Sequence, residues 1–95
     1  MTVPPRFVHV GFDFSGEQAV VTELEELFSK ALDWARYDTH CWILYTNTEL
    51  EIWRDRIRNL PSIKNTDSFF LCDFERGKSN GYLQKTMWDW LNKSR

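Results

Sequence analysis

Between residues 7 and 74 the apolar spacing alternates between a two-residue and a three-to-four-residue period in a fixed order, and that order restricts the fold severely. Residues 7–14, Phe-Val-His-Val-Gly-Phe-Asp-Phe, read as a strand. Val8, Val10, Phe12 and Phe14 point one way, and Phe7, His9, Gly11 and Asp13 the other. Pro4 and Pro5 keep the preceding arm extended. Ser15-Gly16-Glu17-Gln18 then has the spacing of a capping box. Val20, Val21, Leu24, Leu27, Phe28, Ala31 and Leu32 follow at helical intervals. Glu23, Glu25 and Glu26 lie off that stripe, giving an acidic outer face. Trp34 to Tyr37 and His40 to Thr46 read as a hairpin turning at Asp38-Thr39. Thr48-Glu49-Leu50-Glu51 is a second capping box. It leads into a helix with Leu50, Trp53, Ile57 and Leu60 inside, stopped near Pro61. Asp67 to Phe74 is a fourth strand, residues 77–81 are a loop, and Leu83 to Lys93 is a C-terminal helix striped by Leu83, Met87, Trp90 and Leu91, with Trp88 off the stripe.

Strand, helix, strand, strand, helix, strand is the order of a split βαβ unit. Right-handed crossovers place both long helices on one face of the sheet. The expected fold is therefore α+β: a ferredoxin-like βαββαβ antiparallel sheet, first and third strands central, plus the C-terminal helix. The 95 residues form a single domain, 1–95. Aromatic residues make up 16% of the chain, which excludes a disordered class. The longest apolar run, Cys41 to Tyr45, is far short of the ~18 residues of a membrane span, and no apolar signal region precedes the globular pattern. Two cysteines do not make a disulfide scaffold. Free thiols in a reducing, cytoplasmic setting are expected.

Apolar residues exceed what one core needs. In the third strand Cys41, Ile43 and Tyr45 oppose Trp42 and Leu44. In the fourth, Phe69 and Leu71 oppose Phe70, Cys72 and Phe74. A surplus apolar face marks an interface, and a twofold homodimer through Trp42, Leu44 and Phe70 is the expected cover. The C-terminal helix is the rival cover.

Three patches carry a family resemblance: Val10-Gly11-Phe12-Asp13, the run from Trp34 to Leu44, and Asp67-Ser68-Phe69-Phe70-Leu71 with Gly81-Tyr82 and Trp90-Leu91 beyond. Together they resemble the bacterial SinR-like small proteins, distant relatives of the CRISPR-associated adaptation protein of ferredoxin-like fold. The resemblance implies a fold and a homodimer more than an activity. In the CRISPR relatives the aspartate ending the first strand meets its symmetry mate near the dimer axis and has been assigned to metal-dependent nucleic-acid cleavage. Asp13 matches that position.

Asp13 is thus the candidate catalytic and metal residue, with Mg²⁺ or Mn²⁺ held between two copies. A carboxylate near a helix start is also favourable by itself. Arg54, Arg56 and Arg58 are candidate phosphate contacts, against a solvated helix face. The net charge of −2 does not favour nucleic acid. Trp42, Tyr45, Phe69 and Phe70 are candidate base-stacking platforms. His9 reads as a polar spot on the sheet, His40 as exposed, and Ser15-Gly16 as a cap rather than a phosphate site. The leading expectation is a small dimeric interaction module. The alternatives are a metal-dependent nuclease using a symmetry-paired aspartate and an RNA-binding sheet surface. No catalytic constellation in the residues decides whether the domain is an enzyme.

The proposed strand order separates Cys41 from Cys72 by the first strand, ~9–10 Å at ~4.8 Å per strand. A disulfide needs alpha carbons within ~7 Å. Thiol titration of denatured, unreduced protein is expected to find both; an intrachain bridge would exclude this strand order.

Overall fold

The computed structural model describes residues 3–14 and 21–95. Its elements are β1 (Arg6–Asp13), α1 (Val21–Phe28), β2 (Asp33–Asp38), β3 (Cys41–Thr46), α2 (Leu50–Arg58), β4 (Ser68–Phe74), a short 3-10 turn (Arg76–Lys78) and α3 (Lys85–Asn92). The described residues form an α+β chain with one four-stranded antiparallel sheet and three helices. The strand order is β2-β3-β1-β4, so β1 and β3 are the inner strands. The Ser15–Gln18 capping box lies outside the described residues. Among the described residues no helix is long and apolar enough to cross a membrane.

The first face of the sheet carries Val8, Val10, Phe12, Trp42 and Leu44. They are buried with Leu24, Leu27 and Phe28 of α1 and Trp53 and Ile57 of α2. Both helices therefore pack on this face. Trp42, Trp53 and Phe28 are its largest fully buried side chains, and Phe28 meets both indoles, at 5.6 and 6.2 Å between ring centroids. Thr46 is the one buried polar residue among those described. Its Oγ1 accepts from Trp53 Nε1 and from the Thr48 backbone N–H, both at 3.1 Å. An unpaired buried hydroxyl or indole N–H would cost about 1–3 kcal/mol, so this pairing fixes how α2 enters the layer.

Three local expectations are corrected. The second capping box does not form: Glu49 is the N-cap of α2 and makes no side-chain cap bond. Thr48 is instead engaged through its backbone, its carbonyl accepting from Arg6 Nη1 at 2.6 Å while its N–H serves Thr46. Ala31 and Leu32 are not in α1, and Leu32 is 57% exposed. Its N–H donates to the Tyr45 carbonyl, so the chain has already turned toward the sheet. The acidic face of α1 is only partly acidic surface: Glu23 accepts from the Ser62 hydroxyl, and Glu25 from Trp42 Nε1 at 3.3 Å.

The opposite face is covered by α3. Met87 and Leu91 are buried against Phe7 and Ile43, with Leu83, Trp88 and Trp90 packed around them. The apolar surplus of the strands is thus met, over this area, within one chain. Trp42 and Leu44 are both 0% exposed, under α1 and α2, which corrects the expectation that they line an interface. Phe70 alone of the three is on the surface.

Leu91 is 2% exposed, and truncating such a leucine leaves a cavity costing about 2–5 kcal/mol. Leu91→Ala is expected to lower the urea midpoint accordingly. A loss under about 0.5 kcal/mol, the range of surface substitutions, would show that α3 adds nothing to the core.

Candidate functional site

The predicted site residues do not converge. Asp13 is exposed at the end of β1, opposite Ser68 of β4. Among the described residues no three His, Cys, Asp or Glu side chains form a group able to hold a metal ion. Of the three arginines of α2, Arg56 lies on the side opposite Arg54 and Arg58, because residues two apart on a helix lie on opposite sides. Arg54 pairs with Asp55 at 3.1 Å, and Arg56 lies over the Trp53 ring at 5.0 Å. They form no single track for a phosphate backbone. The stacking platform is not assembled either. Trp42 is buried, Phe69 packs on the helix side, and Tyr45 lies beneath Arg95, whose guanidinium is 5.0 Å from its ring.

What the structure brings together lies on the second face. Residues alternate across the strands, so His9 and Gly11 of β1 share that face with their partners Cys72 and Cys41. Tyr37 of β2 joins them, its hydroxyl 2.5 Å from His9 Nε2. A Cβ on Gly11 would stand 3.2 Å from His9 Cε1, so the missing side chain leaves room for the imidazole to lie over the strand. Burial pushes His9 below its ordinary pKa of 6.5. Burial, then the hydrogen bond to Cys41, pushes Tyr37 up to about 12. Both groups are therefore neutral at pH 7, a hydrogen-bonding pair without charge. Both cysteines are free thiols.

α3 and the segment before it wall this pair into a cleft of about 370 Å³. The segment after α3 is fastened to the same face. Arg95 donates to Asp33 Oδ2 at 2.9 Å and to the Trp90 carbonyl at 2.7 Å. Its guanidinium sits over Phe7, Tyr45 and Trp90 at 5.4, 5.0 and 4.6 Å. Asp33 also accepts from Trp90 Nε1 and pairs with Lys93. Burial pushes the Asp33 carboxyl up, but bonds from Lys93, Arg95 and the Trp34 N–H outweigh it and hold it below its ordinary range.

The second exposed feature is the outer edge of β4, which carries Phe70 at 68% exposure. β4 pairs with β1 without a break from Phe7↔Phe74 to Asp13↔Ser68, so its other side is a straight edge. A shallow recess beside it is lined by Phe70, Leu71, Glu51 and Arg54 among others.

Sequence reasoning marked Phe70 but missed Tyr37 and Arg95. Tyr37 sits one strand away from the strand next to His9's, and its alignment depends on the β2–β3 register. For Arg95 there was no periodic signal at all. No family model, curated protein or solved structure matches the chain.

His9 gives the domain a definite pH response. The unfolded chain gains a proton near pH 6.5, whereas folded His9 does so only at lower pH. The unfolded state thus binds more protons in that window, and stability falls as pH drops through it. The urea midpoint of the wild type is expected to fall more between pH 7.5 and 5.5 than that of His9→Phe. Equal changes would show that His9 does not carry this response.

Proposed function

We propose that this domain is a non-catalytic interaction module of ferredoxin-like topology that pairs with a second copy along β4. The inner position of β1 and β3 and the shared face of α1 and α2 support that topology. Phe70 on an unprotected edge is the observation that carries the pairing. Edge strands are normally blunted by charges or bulges, since their free N–H and C=O groups template pairing. β2, the other edge, has both: Arg36 and Asp38 alternate with apolar residues, and its register shifts between them. β4 has no such shift, and its one charge is Asp73.

Edge-to-edge antiparallel pairing about a twofold axis is self-complementary, so a second copy satisfies it without a specialised partner. Phe70 would meet its own symmetry mate or a near neighbour of it, and Glu51 and Arg54 offer opposite charges beside it. The resemblance to SinR-like and CRISPR-related proteins points to a homodimer as well. The nuclease reading has only the exposed carboxylate of Asp13 behind it. The RNA-binding reading lacks a surface, since its aromatics are buried or covered apart from Phe70.

Light scattering at micromolar concentration is expected to give twice the 11.4 kDa of one chain. Phe70→Lys puts a charge on the edge at little cost to the fold, because the ring is exposed. It is expected to give the single-chain mass with an unchanged circular dichroism spectrum. A wild type at 11.4 kDa, or a variant that still dimerises, would overturn the proposal.

A further inference from the structure

The cleft on the second face reaches Cys72 and Phe74 of β4 but has a chemistry of its own. Its floor is Ile43, Phe74 and Cys72, and its far wall is Trp88 and Leu91 of α3. His9 lies in that floor between its cross-strand partners Ile43 and Cys72, with Tyr37 against it. At about 370 Å³ it lies within the ~300–1,000 Å³ range of small-molecule sites. Among the described residues, none of those lining it is Asp, Glu, Lys or Arg, in a chain where those four make up 27%. A neighbouring recess of about 550 Å³ on the other side of Tyr37 does include Arg36 and Asp38. The absence of charge is therefore a property of this cleft, not of the whole face.

A charged ligand would lose its hydration here with no ionised partner in the lining, which is costly. An uncharged one loses little. The wall supplies an indole and the floor a phenyl ring, which favour a flat aromatic body by offset or edge contact. The polar groups on the sheet side are a neutral imidazole and a neutral phenol, each able to donate or accept, while Ser79 and Asn80 line the cleft from the segment before α3. A hydroxyl, also donor and acceptor, matches that pair whichever tautomer His9 adopts.

We propose that this cleft binds an uncharged aromatic small molecule that presents one hydroxyl to His9 and Tyr37 and lays its ring against Trp88 and Ile43. Gly11 belongs to the site, because its missing side chain gives His9 the space to face the cleft.

The test uses 2-naphthol as the probe, with naphthalene lacking the hydroxyl and 2-naphthoate carrying a charge. In the wild type, ¹H–¹⁵N spectra are expected to show saturable shifts at His9, Cys72 and the Trp88 indole N–H. Naphthalene and 2-naphthoate are each expected to bind at least about tenfold more weakly, about 1.4 kcal/mol. 2-Naphthol is also expected to slow maleimide labelling of Cys72, a reading that needs no variant. Cys72→Phe, which adds a ring to the floor, is expected to abolish the shifts. No saturable shift together with unchanged labelling would overturn the proposal. So would 2-naphthoate binding as tightly as 2-naphthol, or shifts that persist in a folded Cys72→Phe.

Discussion

A four-stranded sheet has two faces, and in this chain two helices cover only one of them. The inner strands are apolar on both: Val8 and Val10 face α1 and α2, while Phe7 and Ile43 face the other way. α3 covers the second set, and the molecule becomes three layers rather than two. The fastening at its end is electrostatic as well as apolar. Asp33 collects the Arg95 guanidinium, the Lys93 ammonium and the Trp90 indole N–H, while three rings surround the guanidinium. Cation–π contacts contribute about 0.5–2 kcal/mol, the upper end when desolvated, and the Arg95 side chain is only 9% exposed. The exposed Lys93 pair adds little. Arg95, not Lys93, is the stronger link between the terminal segment and the sheet.

From that covering follow both the cleft and the pairing edge. α3 buries Met87 and Leu91 fully but leaves Trp88 and Trp90, and Leu83 just before it, half-buried. An eight-residue helix is about 12 Å long. Four strands at ~4.8 Å spacing make a wider surface than that helix closes. The uncovered remainder is the cleft at His9 and Tyr37 and the strip at Phe70. These two remainders differ in kind. At the first, two neutral polar groups are drawn together on a concave floor. At the second, a single ring stands on a straight strand with free backbone groups.

Strand and helix periods were legible because they are local. β1 runs from Arg6 to Asp13 against a reading of 7–14, and β4 from Ser68 to Phe74 against 67–74. The Thr48 cap competes with one tertiary and one other local interaction: Arg6 claims the Thr48 carbonyl from 42 residues away, and Thr46 Oγ1, two residues before, claims its N–H. The interface expectation failed at Trp42 and Leu44 for a related reason. Period two separates the faces of a strand but does not say which face the long helices choose. Trp42 and Leu44 went to the helices, Phe70 to the opposite side. The His9–Tyr37 pair was illegible because it spans 28 residues and two strand registers, neither written in the spacing.

Gly11 shows how a single missing side chain can link fold to site. Glycine weakens a strand interior through its larger loss of conformational freedom, and here no left-handed backbone requires it, since no described glycine has positive φ. The position is explained by what stands above it. A methyl group would sit 3.2 Å from the His9 ring and 3.9 Å from the Cys41 sulfur. The imidazole would then have to lift off the strand, and its Nε2 would move relative to the Tyr37 hydroxyl. The cost of glycine in β1 is therefore offset by a polar pair held flat enough for α3 to close over the face beside it.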